Sequence, residues 1–126
     1  RQGMVSIFLA MMLNSGHIHV KGSLDRYRDF VYIDDVVRAF LLCLSHPESA
    51  GYCINIGGSG RVTVKELLDN MAALHPEPVS VRCEGTTAGD MHGIHADGSL
   101  ARRLLGYEPQ VPLVEGLRRM YEACRK

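Results

Sequence analysis

Asp90, His92, His95 and Asp97 crowd four possible metal donors into one short stretch, while Arg28 and the run Gly57-Gly58-Ser59-Gly60 offer two ways of holding a phosphate. Imidazole and carboxylate suit a divalent ion, but His92-x-x-His95 lies in a stretch that reads as a loop. No helical face aims both rings at one point. No second ligand pair accompanies them, so no metal site is expected. A guanidinium always carries its charge and can grip two phosphate oxygens at once. From residue type alone, however, Arg28 serves equally as a surface or fold-stabilising arginine. The glycine run follows a strand-like segment, and its spacing reads as a strand-to-helix connection, not a phosphate cradle. Asp90, in a glycine loop, has the setting of a turn former. His19 and Lys21 read equally as strand residues facing solvent. Met4, Met11 and Met12 read as core packing, and Cys53 as buried and inert, since a reactive thiol needs a cationic, accessible setting.

The elements that must position these residues alternate between helix and strand. Met4 to Leu13 is almost wholly apolar and is stopped by Asn14-Ser15-Gly16, which predicts a buried helix. Ile18 to Lys21 alternates and ends at Gly22, a short strand. Asp29 to Ile33 is rich in β-formers. Asp34 or Asp35 can cap the next helix, whose Val36, Val37, Phe40, Leu41 and Leu44 share one face until His46-Pro47 ends it. Tyr52 to Ile56 reads as a short strand. Thr63 and Glu66 have capping-box spacing ahead of a helix with Leu67, Leu68 and Met71 on its apolar side. Val79 to Arg82 reads as a strand and Glu84 to Gly93 as a loop. Ser99 to Leu105 reads as a short helix closed by Gly106. Val114 to Lys126 is a terminal helix with Leu117, Met120 and Tyr121 inward. This alternation predicts an α/β fold, with residues 1–126 forming a single domain.

Fourteen basic and fourteen acidic side chains balance, which argues against nucleic acid or an acidic membrane surface as a partner. A phosphate would have to be held locally, inside a cleft. Cys43, Cys53, Cys83 and Cys124 are widely spaced, with no C-x-x-C. Reduced thiols and a cytoplasmic location are expected. No apolar run is long enough to span a membrane. The chain opens on Arg1, which suggests an excised or processed piece.

Taken in order, several motifs resemble one family. They are Arg28-Asp29-Phe30-Val31-Tyr32-Ile33-Asp34-Asp35, then Asn55-Ile56-Gly57, then Ala88-Gly89-Asp90, then the run from Ala96 to Pro109 and the final Glu115-Gly116-Leu117. The resemblance is to the NAD-dependent epimerases and dehydratases of nucleotide sugars, the extended short-chain dehydrogenases/reductases, in their UDP-glucose 4-epimerase-like form. It covers nearly the whole chain. It implies the C-terminal substrate-binding portion of such a fold: a small sheet with packed helices and the Rossmann domain absent. It also implies roles for single residues. Arg28 would reach the nucleotide diphosphate, and Met4, in the segment Gln2 to Ser6, would place backbone groups beside it. The backbone of His19, Val20 and Lys21 would read the uracil or thymine ring, and Asp90 would approach the ribose. Asp34-Asp35 would be a structural helix start. One departure stands out: Thr87 occupies an arginine position of the family's loop, with Arg26 and Lys21 as candidate substitutes.

The family binds NAD through G-x-x-G-x-x-G and moves protons through Tyr-x-x-x-Lys. Neither pattern occurs here: Tyr27, Tyr32, Tyr52, Tyr107 and Tyr121 have no lysine four residues on. The resemblance therefore implies no catalytic or cofactor residue and no cofactor in this chain, with NAD expected for the full-length protein. The chain alone would be inactive. Its partners would be a nucleotide-diphosphate sugar and the missing Rossmann domain. Phe30 to Leu44 and the Asn55-Ile56-Gly57 strand would pack on that domain, so without it apolar surface would be exposed and a homo-oligomer or swapped dimer is expected. Two other readings stay open: a non-catalytic self-associating structural module, and a reductase or decarboxylase of the same superfamily.

Overall fold

Residues 3–86 and 91–125 are described by the computed structural model. Helix α1 spans Met4–Ser15 and stops where Gly16 turns left-handed at φ 68°, its N–H donating to the Met12 carbonyl. Strand β1, His17–Lys21, buries alternate residues, Ile18 and Val20, against α1. Two-residue strand β2, Tyr27–Arg28, leads through an extended segment into α2, Ile33–Ser45. Strand β3, Val62–Thr63, runs directly into α3, Val64–Ala72. Strand β4, Ser80–Glu84, is followed by α4, Ser99–Leu105, and α5, Leu113–Cys124.

The β1 strand pairs in parallel with β4, from His17 opposite Ser80 to Lys21 opposite Glu84. Parallel neighbours require a crossover, and this one carries α2 and α3. The expectation of a substrate-binding sheet with nothing of the Rossmann type is corrected here. Parallel strands joined through helices are the pairing of a Rossmann-like sheet. The β2 and β3 strands form a separate antiparallel pair, with Arg28 opposite Val62.

The larger core gathers Phe8, Leu9, Met12, Ile18, Val20, Val64, Leu67, Leu68, Met71, Leu117 and Tyr121. A smaller one joins α2 to α4 through Ala39, Ala101, Leu105 and Tyr107. Polar ties hold the two together. Asp35 of α2 accepts from the Gln110 and Val111 amides before α5, and Arg119 of α5 pairs with Asp34 at 3.0 Å.

Local signals set several boundaries as expected. The Thr63 hydroxyl accepts from the Glu66 amide while the Glu66 carboxylate accepts from the Thr63 amide, a complete capping box. The Thr63 amide and hydroxyl both donate to the Glu66 carboxylate and hold it below its ordinary range. Thr63→Ala is expected to cost about 1 kcal/mol by urea unfolding, since it leaves a first-turn N–H of α3 unbonded.

Other expectations yield to longer-range contacts. Neither Asp34 nor Asp35 caps α2; the N-cap is Tyr32, and no side chain caps that end. Tyr52 to Ile56, expected as a strand, joins no ladder among the described residues. The apolar face of α2 is correspondingly open, with Phe40 69 % and Leu44 82 % exposed. No helix among the described residues is long and apolar enough to cross a membrane.

Candidate functional site

Asp29 follows β2, and its carboxylate binds two separate loops. One oxygen accepts from the Gly58 and Gly60 amides at 2.9 and 3.1 Å, and the other from the Ala96 amide at 3.2 Å. The Ser59 amide and hydroxyl both donate to the Phe30 carbonyl, and the Tyr107 hydroxyl donates to the Gly57 carbonyl at 2.8 Å. Residues 28–30, the 57–60 turn and the 94–97 loop are thereby fixed around one cleft of about 340 Å³. Arg28, Asn55, Ile56, Ile94, His95 and Asp97 line it.

Arg28 stands at the wall of this cleft, half-buried. Its Nη1 donates to the carbonyls of Tyr27 at 2.8 Å and Met91 at 3.2 Å, tying β2 to the chain beyond Asp90. Close approach leaves no room for a side chain in the turn: a Cβ on Gly58 would lie 2.0 Å from the Phe30 carbonyl oxygen, a backbone atom that cannot swing aside. Gly58→Ala is therefore expected to lower Tm by more than 10 °C, and equal melting curves would contradict the packing described.

A second cleft of about 340 Å³ lies at the paired ends of β1 and β4, lined by His19, Val20, Lys21, Glu84, Gly85 and Thr86. The side chains of His19 and Lys21 are exposed there, and that of Val20 faces the core. His19 lies 3.7 Å from the Glu84 carboxylate. A larger cavity, about 650 Å³ between α2 and residues 47–56, is mostly apolar and brings no charged side chain together.

The structure thus brings Arg28 into one cleft and His19, Val20 and Lys21 into the other. Met4 lines neither; it is half-buried at the start of α1 and packs on the larger core. Asp90 and Thr87 lie outside the described residues, and their described neighbours Thr86 and Met91 sit at the second cleft and against Arg28. Arg26 is no substitute clamp. It is 8 % exposed, and its guanidinium donates to the Ser23 and Lys21 carbonyls at 2.8 and 2.6 Å, folded over Gly22.

His92 and His95 pack against the Tyr27 ring, with centroids 5.8 and 6.2 Å away, and Arg61 covers that ring at 3.9 Å. Asp97 accepts from the Ser99 amide, which holds its carboxyl below the ordinary range. Among the described residues, no three metal-type side chains gather at one point. Sequence reasoning missed Asp29, whose signal was its place between Arg28 and an extended run, and Glu84 to Thr86, read only as loop; Cys53, expected to be buried, is exposed.

The arrangement is an α/β one, with a parallel strand pair and an arginine-walled cleft beside a glycine turn. The family model described as "NAD dependent epimerase/dehydratase family" matches residues 1–57. A UDP-glucose 4-epimerase of Mycolicibacterium smegmatis is 31 % identical over 98 % of this chain and 39 % of its own length. A dTDP-4-dehydro-6-deoxyglucose reductase of Escherichia coli is 29 % identical over 99 % of this chain and 39 % of its own length. The UDP-glucuronic acid 4-epimerase of Bacillus cereus, in complex with UDP-glucuronic acid and NAD, superposes with a TM-score of 0.90 at 26 % identity, over 98 % of this chain and 40 % of that one. The chain belongs to the NAD-dependent epimerase/dehydratase family. It spans about two fifths of the length of these relatives.

These matches correct expectations drawn from missing motifs. The likeness is not confined to a C-terminal substrate-binding part, since the family model matches residues 1–57 and the superposition runs over 98 % of the chain. Inactivity of the chain alone, the lack of any catalytic or NAD-contacting residue and the absence of a cofactor from this chain do not follow either. A structure that holds both NAD and UDP-glucuronic acid superposes along that same length. Nor does a missing Rossmann domain stand as the partner, given the parallel pairing of β1 with β4. The physical reason is common to all of these: a motif records one arrangement of contacts, and its absence does not exclude the fold or the group that other residues hold.

Proposed function

We propose that this chain binds a nucleoside diphosphate sugar and acts in NAD-dependent epimerase or dehydratase chemistry, with residues 1–126 as one nucleotide-sugar-binding domain. The observation that carries this reading is Arg28, a permanent cation set into the wall of a cleft whose other walls are already fixed. Its planar fork suits a diphosphate. The second cleft, with the backbone of His19, Val20 and Lys21 at its edge, takes the base, because a strand end offers paired donors and acceptors to a planar ring. Asp90 accepts from the ribose hydroxyls, and Met4, which packs on the larger core, is given no ligand contact.

NAD, when bound, supplies a reversible hydride acceptor for a sugar carbon. The glycine turn does not fit its pyrophosphate: the Gly58 and Gly60 amides are spent on Asp29, the Ser59 amide on Phe30, and Gly58 has no open face. No contact with the cofactor is assigned to that turn. The four cysteines are unpaired, which supports a reducing, cytoplasmic setting. Calorimetric titration with UDP-glucose and dTDP-glucose tests the proposal. Saturable binding of either is expected, and heats of dilution alone for both would refute it.

A further inference from the structure

We infer that Asp29 is a positioning residue that assembles the Arg28 cleft before any ligand arrives. The inference rests on the nucleotide-sugar reading above and deepens it. Three backbone amides from two loops converge on this one carboxylate: Gly58 and Gly60 from the 57–60 turn, and Ala96 from the 94–97 loop. A Cβ on Gly57 would stand 2.7 Å from the Asp29 carboxylate and 3.0 Å from Ala96, so turn, carboxylate and loop meet with no space between them. The residues those loops carry next, Asn55 and Ile56 on one side and His95 and Asp97 on the other, form the cleft walls facing Arg28.

The chemistry of the hub is that of an anion site already filled from within. The Gly58, Gly60 and Ala96 amides, which would otherwise attract a phosphate, are satisfied by a side chain that directly follows β2. Asp29 thereby directs the ligand's anion away from the turn and toward Arg28, and holds both walls at a fixed distance from it. Neutralising the carboxylate removes the charge that draws the three amides together. Both walls then become free to separate, although neither core is touched.

Asp29→Asn tests this in two ways. In amide hydrogen exchange of the free protein, Gly58, Gly60 and Ala96 should exchange at least tenfold faster, with α3 and α5 unchanged. Unchanged exchange at those three amides overturns the clamp, whether or not the protein binds a nucleotide sugar. In calorimetry, affinity for UDP-glucose should fall about ten- to a hundredfold while affinity for uridine, which reaches only the second cleft, is kept. Equal loss of both ligands would mark a merely structural residue and overturn the positioning role. If the unsubstituted chain fails to bind UDP-glucose, the nucleotide-sugar reading falls and takes the positioning role with it, even where exchange shows that the clamp exists.

Discussion

Asp35→Ala is expected to destabilise the fold by about 3–5 kcal/mol, the cost of emptying a buried, fully bonded charged site. Asp35 is 1 % exposed. It accepts from the Gln110 amide at 3.0 and 3.1 Å, from the Val111 amide at 3.0 Å and from Arg38 at 2.7 Å. Alanine would leave the Gln110 and Val111 amides and a half-buried guanidinium without that partner, and α2 would lose its tie to the segment that feeds α5. Burial works against ionisation here, but Arg38 and the two amides outweigh it and hold the carboxyl below its ordinary value. A depressed folded-state pKa gives stability that is present above the unfolded value of about 3.9 and lost as pH falls through the folded one. The advantage of the unsubstituted chain over Asp35→Asn should therefore shrink progressively as pH falls below about 4. Urea unfolding of both chains between pH 7 and pH 3 measures this; a constant difference across that range would contradict it.

Arg28→Ala is expected to weaken UDP-glucose binding about ten- to a hundredfold, the loss of a charge-assisted contact of roughly 1.5–3 kcal/mol. Lysine should recover part of the affinity, because it keeps the charge and loses the planar fork. Part of the alanine effect comes from the free protein, in which Arg28 also ties the Tyr27 and Met91 carbonyls together. The lysine variant separates these contributions. Unchanged affinity for all three chains would remove Arg28 from the diphosphate site.

What the sequence disclosed follows the range of the interactions involved. The capping box of Thr63 and Glu66 and the left-handed stops at Gly16 and Gly106 act over a few residues, so residue type and spacing suffice to place them. Asp35 looked like a helix cap by the same local logic. Its partners, Gln110 and Val111, lie more than seventy residues on, and no spacing rule reaches them. Arg26 and Arg28 are alike in sequence and opposite in fate: nearby carbonyls fold Arg26 inward, while Arg28 is turned to a cleft built from distant loops. Asp29 was invisible for the reason that hid Asp35, since the amides it gathers come from residues 58, 60 and 96. The apolar stripe of α2 was read correctly as a stripe, but a stripe does not say whether anything covers it, and here Phe40, Leu41 and Leu44 face outward. The NAD and tyrosine–lysine motifs are local patterns, whereas the likeness to an NAD-bearing structure is one of fold, running over 98 % of this chain and 40 % of that one.

Amide hydrogen exchange of the chain with and without saturating UDP-glucose is the most direct test of where the ligand sits. The account predicts added protection at Gly85 and Thr86 beside the second cleft and from Ile94 to Asp97 beside Arg28, with α3 and α5 unaffected. Protection confined to the apolar groove between α2 and residues 47–56, or absent from both clefts, would contradict it.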